Sequence, residues 1–159
     1  MMQVPFSVEA RSVSLQEARS LYFGRGELPE ALLDQDVLRS WERCRQAGLD
    51  PARVECGEPN VRGVTEARER NRTLISHAQP VLEHLFEQIR NSHSMVILAD
   101  ARGMVLQSYG DADFLSRAEQ VALHPGASWH EFERGTNAIG TALAERGAVN
   151  VFGSEHFFE

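Results

Sequence analysis

The sequence predicts an α+β fold, in which helices pack on an antiparallel sheet. Two apolar runs of strand length, Ser94 to Ala99 and Met104 to Tyr109, are separated by a short turn that ends in Gly103, which is the pattern of a β-hairpin. Helical patterns precede and follow this hairpin. With 159 residues, of which 42% are hydrophobic, the chain has room for one ordinary domain and an extension.

Composition and charge argue against several classes of function. The net charge of -7 disfavours a surface that binds nucleic acid non-specifically, because such a surface needs a basic patch. No apolar run reaches the roughly 20 residues of a membrane span, and the N-terminus lacks the pattern of a signal peptide. We therefore expect a cytoplasmic protein without membrane contact.

The two cysteines, Cys44 and Cys56, have neither the spacing of a metal site nor that of a redox pair. In a cytosolic chain we expect both thiols to be reduced. The sequence also lacks a phosphate loop, a dinucleotide fingerprint and a nucleophile elbow. We expect neither a metal nor a cofactor.

The first helix is predicted to begin at a capping box formed by Ser14 and Glu17. It should run to Tyr22 or Phe23 and end before Gly24, while residues up to 13 have the pattern of a flexible lead. The chain thus opens with one short helix and a loop.

A second helix is predicted after Asp34, which can cap its start, and it should end near Gly48. The basic residues Arg39, Arg43 and Arg45 are compatible with DNA binding, but no second helix follows in helix-turn-helix register. We interpret them as a solvated face. The apolar residues that share the opposite face are Val37, Leu38, Trp41 and Cys44.

A long helical region is predicted from Thr65. Ile75, Leu82 and Ile89 recur in it every seven residues, which is the spacing of a coiled-coil seam. Pro80 lies inside the pattern and predicts a break or kink there. The seam has two interpretations that the sequence leaves open: packing on the protein's own sheet, or parallel pairing with a second copy.

After a predicted helix from Asp113, a further short helix and a strand are expected. Thr136 or Asn137 can cap this helix, which should stop at Gly147. Alternating residues from Val149 to Phe152 then predict a strand. The expected apolar face of the helix consists of Ala138, Ile139, Ala142 and Leu143.

Gly140 lies inside this helix, where glycine costs about 1 kcal/mol relative to alanine. Its presence indicates that something approaches the helix backbone closely. The approaching group is either the sheet or a small ligand over the helix start, where free amides favour an anion or a carbonyl.

The polar residues that come nearest to a site are His130, Glu131, Glu133 and His156, but their spacing matches no zinc-enzyme motif. We expect the Glu131 carboxylate to bond backbone amides at the helix start. His156 either lines a pocket or caps the start of the last helix.

Two C-terminal segments, GTNAIGTAL and VNVFGSEHF, together with Trp129 and Glu131 in a W-x-E arrangement, resemble the sensory GAF domain of bacterial enhancer-binding activators. The resemblance is to sigma-54-dependent regulators of the acetoin and dihydroxyacetone-operon type. The segment VLRSWERCRQAGLDP is similar to the region before the sensor domain in the same activators. The resemblance implies a GAF-like antiparallel sheet flanked by helices over residues 65–159, preceded by an N-terminal helical extension over residues 1–64.

The resemblance also implies a function. The chain would be a sensor rather than an enzyme, binding a small metabolite and relaying the signal to ATPase and DNA-binding modules that these residues do not contain. We expect a homodimer formed through Ile75, Leu82 and Ile89, with no direct nucleic-acid contact. The residues expected to hold the ligand are Trp129, Glu131, Thr136, Asn137, Thr141 and His156.

Two other classes of function are alternatives to this one. A ligand-free module that only dimerises and packs on a neighbour is the main alternative. A redox enzyme on the same fold ranks last, because Cys44 and Cys56 lie outside the GAF-like part.

In the family, further strands follow the E-H-F motif and complete the sheet, whereas this sequence ends at Glu159. We therefore expect the GAF-like domain to be incomplete at its C-terminus. The strand Ser94 to Ala99 would keep an open edge, which invites pairing with another chain.

Overall fold

The computed structural model describes residues 8–27, 29, 32–52 and 61–158, without the side chains of residues 8–12 and 61. The chain divides into two compact units, which are Met1–Val54 with Glu131–Glu159, and Glu55–His130. The predicted domain boundary at residue 64 stays a prediction. The elements in chain order are α1 (Val8–Arg19), a π-helical turn (Ser20–Arg25), α2 (Gln35–Gln46), α3 (Val61–Arg70), α4 (Arg72–Ile89), β1 (Met95–Ala99), β2 (Val105–Gly110), α5 (Ala112–Gln120), α6 (Glu131–Arg134), α7 (Ala138–Glu145) and a 3₁₀ turn (Gly153–Glu155).

The first helix begins earlier than the capping box predicted. Since α1 starts at Val8, Ser14 lies inside the helix rather than at its start. Leu15, Ala18 and Tyr22 are buried with the spacing of one helical face, so packing rather than a cap fixes this segment. The helix continues through the π-helical turn and ends at Gly26, whose φ is 71°.

The first unit has its hydrophobic core between α1, α2 and the C-terminal segment. The face of α2 predicted to be apolar is buried as expected. Aromatic rings dominate the core: Tyr22 and Trp41 lie 5.2 Å apart between ring centroids, and Phe23 lies 5.2 Å from Phe157. The Trp41 indole donates to the Glu155 carbonyl at 2.7 Å, and thus satisfies its N–H inside the core.

The second unit contains the predicted hairpin. β1 and β2 pair antiparallel from Met95 opposite Gly110 to Ala99 opposite Val105, with an irregularity between Leu98 and Ala99. Within the described residues, these two strands make up the sheet. The hairpin prediction is confirmed.

The break predicted at Pro80 is wrong, while a kink there stays a prediction. Pro80 lies inside a continuous α4, and the break falls at Asn71, between α3 and α4. The Asn71 side-chain amide donates to the Ala67 carbonyl at 2.8 Å, which is the kind of local bond by which asparagine competes with a helical backbone.

Helix α4 packs on both strands, and Leu82 is buried with 8% of its surface exposed. Ile75 and Ile89 are half-buried. Within this unit the seam therefore supplies core contacts, which was one of the two open interpretations. A different apolar stripe on α4 is exposed, and it consists of Leu74, Val81 and Leu85.

The strand predicted from Val149 to Phe152 does not form. The Phe152 amide instead donates to the Glu155 carboxylate at 2.7 Å, which commits the backbone to the 3₁₀ turn. Helix α7 begins as predicted, since the Asn137 side chain accepts from the Gly140 amide at 2.8 Å. It ends on Arg146, not Gly147, in the left-handed conformation.

The buried face of α7 also differs from the prediction. Gly140 and Thr141 are its buried residues, whereas Ala138 and Leu143 are exposed. The polar side of the helix therefore faces inward. Among the described helices, none has the length and apolar character needed to cross a bilayer.

Candidate functional site

A buried group of polar side chains lies in the first unit, and we call it the polar cluster. Ser40 and Arg43 come from α2, one turn apart. Glu131 begins α6, Thr136 lies in the α6–α7 connection, and Thr141 lies on α7. Ser40, Glu131, Thr136 and Thr141 each expose 2% of their surface or less.

The Glu131 carboxylate is the centre of the polar cluster. Its Oε2 accepts from Arg43 Nε at 2.7 Å, and its Oε1 accepts from Arg43 Nη2 at 3.0 Å, so the pair is bidentate. Oε1 also accepts from the Ser40 hydroxyl at 2.5 Å and from the Thr141 hydroxyl at 3.0 Å. Both carboxylate oxygens are therefore used by side-chain donors.

The electrostatics of this carboxylate follow from its donors. Burial by itself raises the pKa of Glu131, but the bonds from Arg43 and Ser40 outweigh burial and leave that pKa below its ordinary value. The same bond raises the pKa of Arg43. Glu131 is thus ionised at neutral pH and fully partnered, which suits it to hold helices together rather than to transfer protons.

A second carboxylate extends the ion pairs towards solvent. Glu145 at the end of α7 accepts from Arg43 Nη1 at 2.7 Å and from Arg39 Nη2 at 2.7 Å. Arg39 also pairs with Asp36 one turn earlier on α2. The bond from Arg39 holds the pKa of Glu145 below its ordinary value. Because the Arg39 side chain is 48% exposed, this outer part stabilises less than the buried pair.

The solvated-face interpretation of the α2 arginines holds for Arg39 and Arg45, which are exposed, but is wrong for Arg43, whose side chain is 29% exposed and pairs with a buried carboxylate. Arg39 and Arg43 pair with carboxylates of α6 and α7. The guanidinium of Arg45 lies over the Tyr22 ring, 4.7 Å from its centroid, as a cation–π contact.

The prediction for Glu131 was also wrong, since its partners are side chains rather than backbone amides at a helix start. Next to it, Thr136 Oγ1 lies 2.7 Å from Ser40 Oγ. Asn137 flanks the polar cluster as the cap of α7, and its amide donates to the Gly135 carbonyl at 2.8 Å. Three of the six predicted ligand residues thus lie in the polar cluster, and a fourth adjoins it.

The other two predicted ligand residues lie elsewhere. Trp129 belongs to the second unit, and its indole donates to the Ala122 carbonyl at 3.0 Å. His156 follows the 3₁₀ turn, and its Nδ1 lies 3.0 Å from the Gly153 carbonyl. Ligand binding by all six residues stays a prediction.

Cys44 borders the polar cluster, with its sulfur 3.8 Å from the Glu131 carbonyl and 3.8 Å from Thr136 Oγ1. Burial raises the pKa of this thiol to about 11, so the reactive thiolate is scarce at neutral pH. Cys44 is a free thiol, while Cys56 lies outside the described residues. The part of the chain that the structure describes contains no group of three or more residues able to hold a metal.

Residues 12–159 match the family described as MimR, N-terminal domain. The chain belongs to the MimR N-terminal domain family. It is 37% identical over 135 residues to the acetoin dehydrogenase operon transcriptional activator AcoR of Bacillus subtilis, covering 83% of this chain and 22% of that protein. It is 34% identical over 143 residues to the propane 2-monooxygenase operon transcriptional activator MimR of Mycolicibacterium smegmatis, covering 89% of this chain and 24% of that protein.

The MimR N-terminal domain thus spans about a quarter of the length of these relatives. The relatives are transcriptional regulators rather than enzymes, and this chain corresponds to the N-terminal sensor region of such a regulator.

A solved structure shares the fold. The crystal structure of the E. coli DhaR(N)–DhaL complex superposes with a TM-score of 0.72 at 20% identity, covering 79% of this chain and 42% of that chain. At this identity the likeness shows the fold alone. The predicted α+β, GAF-like fold is confirmed for the MimR N-terminal domain.

Sequence reasoning missed the α2 half of the polar cluster. Asp36, Arg39, Ser40 and Arg43 have the spacing i, i+3, i+4 and i+7, which places them on one helical face. This polar stripe, with a small serine between two arginines, was the available signal. Its partners lie 88 to 106 residues further along the chain, where periodicity gives no information.

Proposed function

We propose that this chain is the effector-sensing region of a sigma-54-dependent bacterial transcriptional activator. It binds a small metabolite and relays binding to the ATPase and DNA-binding modules of the same activator. Family membership supports the regulatory role. The observation that carries the sensing role is the bidentate pair between Arg43 and Glu131, because it ties predicted ligand residues to the helix that precedes the sensor.

Relay follows from this geometry. A polar ligand that bonds Thr136, Thr141 or Glu131 competes with Ser40 and Arg43 for the same atoms. Loss of those bonds loosens α2 from α6 and α7. A ligand of modest size would thereby change the position of a helix that lies outside its own contacts.

The ligand class follows from the donors and acceptors of the polar cluster. Hydroxyl groups and an arginine favour a small oxygenated metabolite. AcoR activates an acetoin dehydrogenase operon, and the similar protein of Cupriavidus necator regulates acetoin catabolism, which supports acetoin-like hydroxyketones and diols as candidates. We therefore expect a neutral or weakly anionic compound of a few carbon atoms.

A thermal-shift screen of hydroxyketones, diols and short carboxylates tests the proposal. A ligand at 100 times its dissociation constant should stabilise the protein by about 2.7 kcal/mol. Replacing Thr136 and Asn137 by alanine should weaken binding by more than it lowers stability, since loss of an N-cap alone costs about 1 kcal/mol. Asn150→Ala, at an exposed position, is the control.

If the double variant loses stability but keeps the native affinity for the ligand, the start of α7 has a structural role only. In a full-length activator, Arg43→Gln should alter the transcriptional response to the effector. An unchanged response would disprove the relay through α2.

The ligand-free interaction module is the second candidate function, and the closed hydrogen-bonding of Glu131 favours it. In this role the polar cluster only fixes the fold. Association would then use α4, whose stripe of Leu74, Val81 and Leu85 is exposed. We propose homodimerisation through this exposed stripe for either function, while Leu82, from the seam of Ile75, Leu82 and Ile89 predicted from sequence, packs within the second unit. Failure of every compound in the screen together with a concentration-dependent dimer would favour the second candidate.

A further inference from the structure

A cleft of about 380 Å³ lies in the second unit, whereas the polar cluster belongs to the first unit. Its wall is one helical face, because Thr65, Arg68, Glu69 and Arg72 have the spacing i, i+3, i+4 and i+7 across the α3–α4 break. β2 supplies the opposite side. The lining residues are Thr65, Arg68, Glu69, Arg72, Ile75 and Gln107.

Gln107 gives the cleft an unused acceptor. Its side-chain Oε1 is buried and has no hydrogen-bond partner among the described residues. A buried carbonyl oxygen without a donor is destabilising, and a bound donor group recovers the missing hydrogen bond. The cleft volume lies within the range of small-molecule sites in proteins.

The charged residues of the cleft indicate which charged group the ligand carries. Two guanidinium groups and one carboxylate line the cleft, so its walls have a net charge of about +1 by formal counting. Arg68 is fixed at the edge of the sheet, since its Nε donates to the Leu106 carbonyl at 2.9 Å. The guanidinium has five N–H donors, and those on its two Nη atoms have the fork geometry that fits a carboxylate.

We propose that this cleft binds a small hydroxycarboxylate. Arg68 and Arg72 bond the carboxylate, and the ligand hydroxyl donates to Gln107 Oε1. Ile75 contacts the carbon chain. The site goes beyond the proposed function, because none of its residues belongs to the polar cluster.

The test compares L-lactate with propionate, two carboxylates of similar size that differ in one hydroxyl group. Titration followed by two-dimensional NMR should shift the side-chain signals of Gln107 and Arg72. We expect lactate to bind at least about fivefold more tightly than propionate, because only lactate satisfies the buried oxygen.

Two variants separate the contacts. Arg72→Gln should weaken both ligands by about tenfold, since it removes a charged hydrogen-bond donor. Arg70→Gln is the matched control, because Arg70 lies on α3 near the same charges but outside the cleft, 3.9 Å from Glu66. Gln107→Leu should abolish the preference for lactate and keep carboxylate binding.

Equal affinity for lactate and propionate in the native chain would overturn the proposal. So would an equal loss in Arg70→Gln and Arg72→Gln, which would indicate attraction by general charge. A ligand response that is lost in the Thr136 and Asn137 double variant but kept in Arg72→Gln would also overturn it, while leaving the proposed function in place.

Discussion

Glu131 is a carboxylate with 2% of its surface exposed, and its ionised form depends on three donor residues from two elements, α2 and α7. A buried ion pair adds little net stability over an apolar replacement, but removing one partner leaves the other charge uncompensated. The same holds for the hydroxyl groups, which lose their acceptor. Substitutions at this residue are therefore costly even though the pair itself is not a large source of stability.

We predict that Glu131→Gln lowers the free energy of unfolding by about 2–3 kcal/mol. The loss is smaller than for a fully buried pair, because the Arg43 side chain is 29% exposed and keeps Glu145 as a partner. Urea denaturation measures the change. Glu133→Gln, two residues away and exposed, should leave the free energy unchanged, and an equal effect of the two would contradict the argument.

Stability should also fall in acid. The folded-state pKa values of Glu131 and Glu145 lie below the ordinary value, so the unfolded chain takes up protons first as the pH falls. The stabilisation is complete above the ordinary pKa of about 4.3 and is lost as the pH falls through the lower folded values. Unfolding free energies measured from about pH 6 to 3 should decline less steeply in Glu131→Gln than in the native protein.

At position 135, the backbone conformation and the neighbouring side chain require glycine. The φ of Gly135 is +62°, and a Cβ atom placed on it would lie 2.4 Å from the Phe157 Cβ. Gly135→Ala should therefore destabilise the chain by about 1–3 kcal/mol or more. Gly24→Ala is the control, since a Cβ there meets nothing within 4 Å. An unchanged melting temperature in Gly135→Ala would show that the C-terminal segment can move to make room for the added methyl group.

At the scale of the element, α4 has two apolar faces with different surroundings. Leu82 points into the second unit, whereas Val81 is 56% exposed. The heptad spacing of Ile75, Leu82 and Ile89 predicted that α4 has an apolar face, but it did not identify the second, exposed stripe. The heptad spacing of apolar residues is the same whether a strand of the same unit or a helix of a second copy packs on them.

Substitutions at the adjacent positions 82 and 81 test the two faces of α4 separately. Leu82→Glu should abolish the native circular dichroism, because it buries a charge without a partner. Val81→Glu should keep the native spectrum and, if α4 mediates dimerisation, convert the dimer to a monomer in sedimentation. A folded Leu82→Glu variant that is monomeric would reverse the assignment of the faces.

The elements that sequence predicted well carry strong local signals. The hairpin was predictable because strand-length apolar runs flank a turn with Gly103 at φ +79°, and the cap of α7 because Asn137 has its bonding partner three residues away. The strand at 149–152 was predicted from four alternating residues, too few to compete with the bond from Phe152 to Glu155. The break at Asn71 coincides with a local side-chain bond to the Ala67 carbonyl, which has no strong pattern in sequence.

For the whole molecule, the limit on sequence prediction is distance along the chain. The segment around Glu131, Thr136 and Thr141 carried a recognisable motif, so three of the five residues of the polar cluster could be predicted. Ser40 and Arg43 could not, because their partners are set by the packing of α2 on α6 and α7. The first unit is built from two segments separated by the whole of the second unit.

This arrangement makes Cys44 a reporter of the first unit. With Cys56 replaced by serine, alkylation at neutral pH should be slow, because the Cys44 thiol is buried and its pKa is about 11. The rate should rise in urea together with the loss of circular dichroism. Rapid labelling under native conditions would indicate that α2 separates from α6 and α7 without global unfolding.

The two-segment construction has a consequence for the newborn chain. Arg19 donates to the carbonyls of His156 and Phe157 at 2.6 and 2.8 Å, so the ends of the first unit meet only after nearly all these residues have been synthesised. The segment Glu55–His130 is contiguous and leaves the ribosome complete, whereas α2 waits for the C-terminal residues for on the order of several seconds. During that interval Trp41 and its apolar neighbours lack Phe157 as a cover. Chaperone binding to the nascent chain should therefore concentrate on α1 and α2.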